Sequence, residues 1–340
     1  MAARSIRTSS RLFSLLAVVL LIAGCAGGTA SPNPTTAPPT AAVTLSPPTV
    51  PPATPTAAFP VTLTDDEGTA VTIPAEPQKI VSLTPATTET LFALGVRDRV
   101  VGKVQDPAKF PPEANTVAEM ATFNGVDVEK IVDAGADLVI SGGTGLTQGD
   151  AVEQLRRANI PVIVSYPTTV EQGVTSIEVI GKAVGAAEEA AALAGGIRRR
   201  VDALAAIAAT ATDKPRLFYE IDVYNGIFTP PADSIYGEMF RLAGAEPISG
   251  DVAYSISLED LIDADPEVIL LGDTASGQSA ETVKAREGWG GMTAVKNDRI
   301  VAVDDIVITR PGPRIADGLY ALIAAIHPEL APSLPTATPS

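Results

Sequence analysis

Histidine, cysteine and tryptophan each occur once in 340 residues, as His327, Cys25 and Trp289, and aromatic residues make up only 4% of the chain. A lone cysteine forbids an intramolecular disulfide. A lone histidine leaves no Ser-His-Asp triad unless His327 serves, and His327 precedes Pro328 near the end of the last helix, where a C-terminal cap accounts for it. One His and one Cys also fall short of the usual zinc or manganese ligand sets. The glycine-rich stretch from Ser141 to Gly149 lacks both the dinucleotide fingerprint and the Walker lysine. Catalysis therefore has few candidate residues, and the chain is expected to be a binder and not an enzyme.

Positive charge is also scarce. Lys and Arg number 24 against 40 Asp and Glu, a formal charge of -16. A body this acidic excludes nucleic acid and polybasic attachment to anionic lipid.

The front end is different in kind. Arg4, Arg7 and Arg11 precede an apolar run from Leu12 to Ile22, then Ala23, Gly24 and Cys25. That run is shorter than the ~20 residues a membrane-spanning helix needs, so 1–25 reads as a signal peptide. Leu21-Ile22-Ala23-Gly24-Cys25 resembles the lipobox of bacterial lipoproteins, which makes Cys25 the expected lipidation site. Loss of the leader's three arginines takes the charge to -19. Membrane attachment must then come from the lipid. Residues 26–60 carry no charge and are rich in Pro, Thr and Ala, the composition of an extended tether. Residues 331–340 read as a similar disordered tail.

Residues 61–330 alternate strand-like and helical patterns, the mark of a parallel α/β architecture. Strands are predicted at Lys79–Leu83, Leu138–Ser141, Val162–Ser165, Arg216–Ile221, Val268–Leu271 and Ile300–Val303. They lack polar alternation, as strands buried on both faces do. Helices are predicted at Thr87–Leu94, Val128–Asp133, Ala151–Ala158 and Ser234–Ala243. An Ala-rich, Pro-free stretch at 186–209 would span about 36 Å as a helix, a strut between a lobe at 61–185 and another at 210–330. Gly195-Gly196 is its weak point.

The two lobes share a pattern. Glu129 to Ile140 and Glu259 to Leu270 are both eleven residues, with Asp133-Ala134 and Asp263-Ala264 at matching positions between. A helix ending in a glycine turn precedes each copy, at Gly95 and Gly244. Two similar lobes leave a cleft between them, and such clefts are preferred ligand sites.

Lys79 to Glu89, Val101-Gly102, Phe110 to Ala114, Asp137 to Ile140, Ser257-Leu258-Glu259, Ala294 to Asn297 and Arg310 to Arg314 occur in an order that resembles the ferric-siderophore and vitamin B12 class of periplasmic binding proteins. The resemblance covers nearly all of 61–330. It implies two Rossmann-like lobes with parallel sheets joined by a long helix, and a monomer that serves an ABC permease and ATPase. It further implies a cargo that brings its own iron or cobalt, with no resident cofactor. Glu129 and Glu259 fall on the family's permease-docking glutamates. Phe123 and Asn124 occupy a loop where an aromatic packs on ligand, Arg310 matches a ligand-contacting arginine, and Tyr224 and Tyr254 are partners across the cleft. Arg314 reads as structural. The loop Ser141–Gly145 carries no tryptophan where cobalamin binders often do. Siderophore, corrinoid and haem all stay open, the last through Tyr166, Tyr224, Tyr236 or Tyr254. An exported α/β enzyme acting on a metal chelate or tetrapyrrole is the alternative from another class.

Overall fold

The strands read as unbroken apolar runs because each one feeds two cores at once. The computed structural model describes residues 59–122, 124–143, 149–248 and 254–335. The described chain opens with a hairpin, β1 (Val61–Thr64) against β2 (Ala70–Ile73). A six-stranded sheet follows, from β3 (Ile80–Ser82), β4 (Val100–Val104), β5 (Ala118–Thr122), β6 (Gly125–Val126), β7 (Leu138–Ser141) and β8 (Val162–Val164). Its order is β6-β5-β4-β3-β7-β8, parallel except for β6. Helices α1 (Pro85–Ala93), α2 (Val128–Asp133) and α3 (Gly149–Arg157) lie between the strands, and α4 (Val170–Ala183) and α5 (Ala187–Ala208) follow them.

The second lobe repeats the plan with fewer strands. Strands β9 (Arg216–Glu220), β11 (Glu246–Pro247), β13 (Val268–Leu271) and β14 (Ile300–Ala302) make a parallel sheet in the order β11-β9-β13-β14. Short β10 (Ile227–Phe228) and β12 (Ser255–Ile256) pair separately as an antiparallel ribbon. Helices α6 (Ile235–Leu242), α7 (Leu258–Ala264), α8 (Ala280–Lys284), α9 (Thr293–Lys296), α10 (Asp305–Thr309) and α11 (Ile315–Ile326) complete it.

Successive strand residues point to opposite faces. In β7, Leu138 and Ile140 enter one core and Val139 another; in β9, Leu217 and Tyr219 enter that same first core while Phe218 enters a third. The first core is therefore common to both lobes. It runs from Val71 to Leu334 and takes in the buried stripe of α5, Ala190, Ala194, Ile197, Val201, Leu204 and Ala208. Their spacing of three and four residues keeps them on one helix face. Each sheet's outer face has a smaller core of its own, and Trp289 lies in that of the second lobe, edge-on to Phe218.

The internal repeat extends to single hydrogen bonds. Strand β13 starts at 268 against 138 for β7, and α7 starts at 258 against 128 for α2, both 130 residues apart. Asp137 accepts from the backbone N–H of Gln78 and Lys79, and Glu267 accepts from that of Arg216. Lys79 donates to the carbonyl of Ala134, and Arg216 donates to that of Ala264. Each lobe thus ties the start of its first sheet strand to the helix and acid that precede the neighbouring strand.

Helix α5 runs unbroken through Gly195-Gly196, and its 22 residues span about 33 Å. The predicted ends shift elsewhere. Phe59 packs on the shared core, ahead of the expected start of the body. A 3-10 turn at Pro328–Ser333 followed by buried Leu334 replaces the first part of the expected tail, because Leu334 finds apolar neighbours there.

Helices α4 and α5 pack closely because Gly181 has no side chain. A Cβ there would collide with the Cβ of Ala190 and crowd the carbonyl of Ala186, whereas one on Gly196 would meet nothing within 4 Å. Gly181→Ala is expected to destabilise the protein by about 1–3 kcal/mol through overpacking. Gly196→Ala should stabilise it by about 0.5–1 kcal/mol. Urea unfolding of the two variants checks both signs.

Candidate ligand-binding cleft

In both sheets the first strand sits between neighbours reached in opposite directions, β3 between β4 and β7 and β9 between β11 and β13. Loops leaving the carboxyl ends diverge at such a point and open a crevice. The crevices of the two lobes form one cleft of about 920 Å³, lined by Thr84–Thr87 after β3, Ser165–Thr168 after β8, Ile221 and Asp222 after β9, and Asp305 after β14. That volume is near the top of the ~300–1,000 Å³ range of small-molecule sites.

The first wall is fixed by hydroxyl groups. Thr84 caps α1 by accepting from the N–H of Thr87, and Pro85 begins the helix with its φ already helical. The buried Ser82 hydroxyl bonds those of Thr87 and Thr88 at 2.7 and 2.9 Å, which holds the turn rigid.

The rest of the lining is aromatic and proline-rich. Phe228, Pro230 and Pro231 give an apolar wall. Tyr166, 45% exposed, stands at the cleft with Tyr254, whose φ of 61° is a left-handed conformation uncommon for a bulky residue. Tyr236 donates to the carbonyl of Thr309, and Tyr219 donates to Asp305 at 2.5 Å. Burial, helped by Asp305, raises the Tyr219 phenol well above its ordinary range, so it stays a donor. Burial likewise raises Asp305 against the opposing pull of that bond.

Arg310 is the only Lys or Arg among the described lining residues, and its charge is already matched. Its guanidinium donates to Asp106 at 2.6 and 3.1 Å and to Glu89 at 2.8 Å. Glu89 also takes two bonds from Arg314, which lies 3.8 Å over the Phe110 ring. Both carboxylates come from the first lobe, Glu89 on α1 and Asp106 just after β4, and both arginines from the end of the chain. The four form a neutral latch across the lobes, with Glu89, Asp106 and Arg310 buried and Arg314 half-buried. Burial alone would raise Asp106, but the hydrogen bonds from Arg310 and from the N–H groups of Phe110 and Ala108 outweigh it and hold Asp106 low.

The remaining expected site residues fall in different places. Tyr254 lines the cleft, whereas Tyr224 is 85% exposed and neither it nor Asn124 is among the lining residues. Tyr224 follows a turn in which its N–H donates to Asp222, and this leaves its ring in solvent. Arg310 is at the cleft as expected, but its donors face protein carboxylates. Phe123 and Cys25 lie outside the described residues. Glu129 and Glu259 are exposed, each the second residue of its helix, behind caps in which Asp127 and Ser257 accept from the N–H of Lys130 and Asp260. Neither is ion-paired among the described residues.

Two parallel sheets that share a core and open one aromatic-lined cleft define a two-lobe solute-binding protein. The chain belongs to the periplasmic binding protein family, whose pattern matches residues 80–307. That is a family of extracytoplasmic solute binders and not of enzymes, which removes the catalytic alternative. It is 32% identical over 280 residues to YvrC, an uncharacterized ABC transporter substrate-binding lipoprotein of Bacillus subtilis, covering 81% of this chain and 88% of that one. It is 30% identical over 281 residues to a cobalamin-binding protein of Halobacterium salinarum, covering 79% and 75%. Among solved structures, the periplasmic heme-binding protein RhuT of Roseiflexus sp. RS-1 matches with TM-score 0.67 at 24% identity, over 74% of this chain and 99% of that one. The vitamin B12-binding protein BtuF of Vibrio cholerae matches with TM-score 0.65 at 24% identity, over 76% and 98%. At that identity the likeness speaks for the fold.

Removing Arg310 would strand the buried Asp106 and leave Glu89 with Arg314 as its one remaining cation. Arg310→Met is expected to cost about 3–5 kcal/mol near neutral pH. Because the folded-state pKa of Asp106 lies below its unfolded value, the stabilisation is present above the ordinary aspartate pKa and lost as pH falls through the depressed one. The gap between wild type and variant should therefore narrow on acidification, as urea unfolding at a series of pH values would show.

Proposed function

We propose that this chain is the substrate-binding component of an ABC importer, held at the membrane by lipid on Cys25, and that it captures a corrinoid-type metal chelate in the cleft. The observation that carries the choice of cargo is the charge of the lining. Arg310 is neutralised by Glu89 and Asp106, while Asp222, Asp233 and Asp305 present carboxyl groups to the same space. Anionic cargo such as haem, with two propionates, or a ferric catecholate would meet no unmatched cation among the described lining residues. A corrinoid rimmed by neutral amides suits tyrosine hydroxyls, carboxylates and apolar walls. The similarity to a cobalamin-binding protein supports the same reading.

Anchoring rests on the lipobox-like run ending at Cys25 and on a relative named as a lipoprotein. No helix among the described residues is long and apolar enough to cross a membrane. Delivery is assigned to Glu129 and Glu259, equivalent exposed carboxylates on the two lobes, which suit charge-steered, reversible docking on basic side chains of a permease.

Trp289 lies in an outer core away from the cleft lining, so ligand absorbance is the better readout. Equilibrium dialysis against cobalamin, cobinamide, haem, a ferric catecholate and a ferric hydroxamate is expected to retain a corrinoid at least about 100-fold more tightly than haem or the catecholate. Tighter retention of either anionic ligand would reverse the assignment. Charge reversal at both docking positions, Glu129→Lys with Glu259→Lys, should abolish import in cells and leave ligand affinity intact; normal import would remove the docking role.

A further inference from the structure

The only histidine is the centre of a second site, none of whose three residues is among those lining the cleft. His327 is 2% exposed at the end of α11, and one ring nitrogen, Nε2, lies 3.1 Å from the carbonyl of Gly244. A carbonyl only accepts, so Nε2 carries a proton and the neutral ring presents a bare lone pair at Nδ1. That lone pair faces another acceptor, Oε1 of Glu329, at 3.2 Å. Asp213, in the connector between α5 and β9, brings a further carboxylate, and the three ligand atoms all lie within 4.8 Å of one another. Three acceptors converging in this way call for a cation. A proton on Nδ1 would satisfy the histidine and Glu329 alone, whereas a metal ion would satisfy all three.

We propose that Asp213, His327 and Glu329 bind a divalent transition-metal ion, zinc in the first instance. Two ligand atoms on a tetrahedral zinc with bonds of ~2.0–2.1 Å sit about 3.3 Å apart, close to the observed separation of Nδ1 and Oε1. Asp213 and Glu329 are exposed and free to close on the ion, while His327 is held by its neighbours. The bond from Nε2 to a backbone carbonyl is the outer contact that orients metal-binding histidines and raises their basicity. Gly244 makes this approach possible: its φ is +85°, and a Cβ there would lie 2.9 Å from Nε2. A hollow of about 350 Å³ beside the three residues has room for the ion and a water completing its shell. The charged residues that also line it are engaged, Arg299 with the carbonyl of Ile326 and Glu267 with Arg216. Bound metal would tie the C-terminal turn to the exit of the inter-lobe helix. This ion is distinct from any metal carried by the cargo.

The test uses the full chain with Cys25→Ser, so that the single thiol supplies no ligand. Dialysis against zinc with excess magnesium should give one zinc per chain and a raised melting temperature, and cobalt in its place should show the d–d spectrum of a nitrogen and oxygen site. Asp213→Asn and Glu329→Gln change exposed groups and keep the fold, as circular dichroism would verify, and each should weaken zinc binding at least about tenfold. His327→Gln should abolish it. Absence of stoichiometric zinc, or zinc binding that persists unchanged in both carboxylate variants, overturns the proposal.

Discussion

The contact on which this structure most depends is the buried pairing of Arg310 and Arg314 with Glu89 and Asp106. It joins residues separated by 204 to 225 positions and sits where the two lobes face one another. A buried charge without a partner costs several kcal/mol, so the four residues must be present together or not at all. The requirement fixes the end of the chain against α1 and the loop after β4. It also sets the electrostatics of the cleft, because a guanidinium that would otherwise face ligand is committed to protein carboxylates.

The shared core imposes the second constraint. With β3, β7, β9 and β13 each sending alternate side chains into one apolar mass, the lobes cannot separate widely without exposing it. The buried stripe of α5 lies within that mass, so the inter-lobe helix acts as a packed beam and not as a free hinge.

Much of this was legible in the sequence where the signal was local. Strands Leu138–Ser141 and Val268–Leu271 and helix Val128–Asp133 have the predicted bounds, because runs of buried β-branched and leucine side chains and a capping Asp mark them directly. Strand β4 escaped notice because Gly102 and Lys103 interrupt its apolar pattern; Gly102 makes room for Met120, and buried Lys103 donates to the carbonyl of Val104. Strand β5 mixes exposed Glu119 and Thr122 with buried Met120 and Ala121, which gives no clean apolar run or alternation. In the cleft, Arg310 was visible but its partners were not, since nothing local links an arginine to an acid 221 residues earlier. Tyr219, Phe228 and Asp305 were missed for the same reason. Their one sequence cue was position: they lie at or just beyond the ends of strands, as Tyr166 does.

The core common to both lobes also orders events in time. Helix α11, residues 315–326, closes one side of an apolar mass whose first members come from β2, near position 71. A chain emerging from a ribosome or a translocation pore holds that surface open until α11 has appeared. The fold therefore cannot finish half by half, and a chain that stops short of α11 leaves the core of both lobes incomplete.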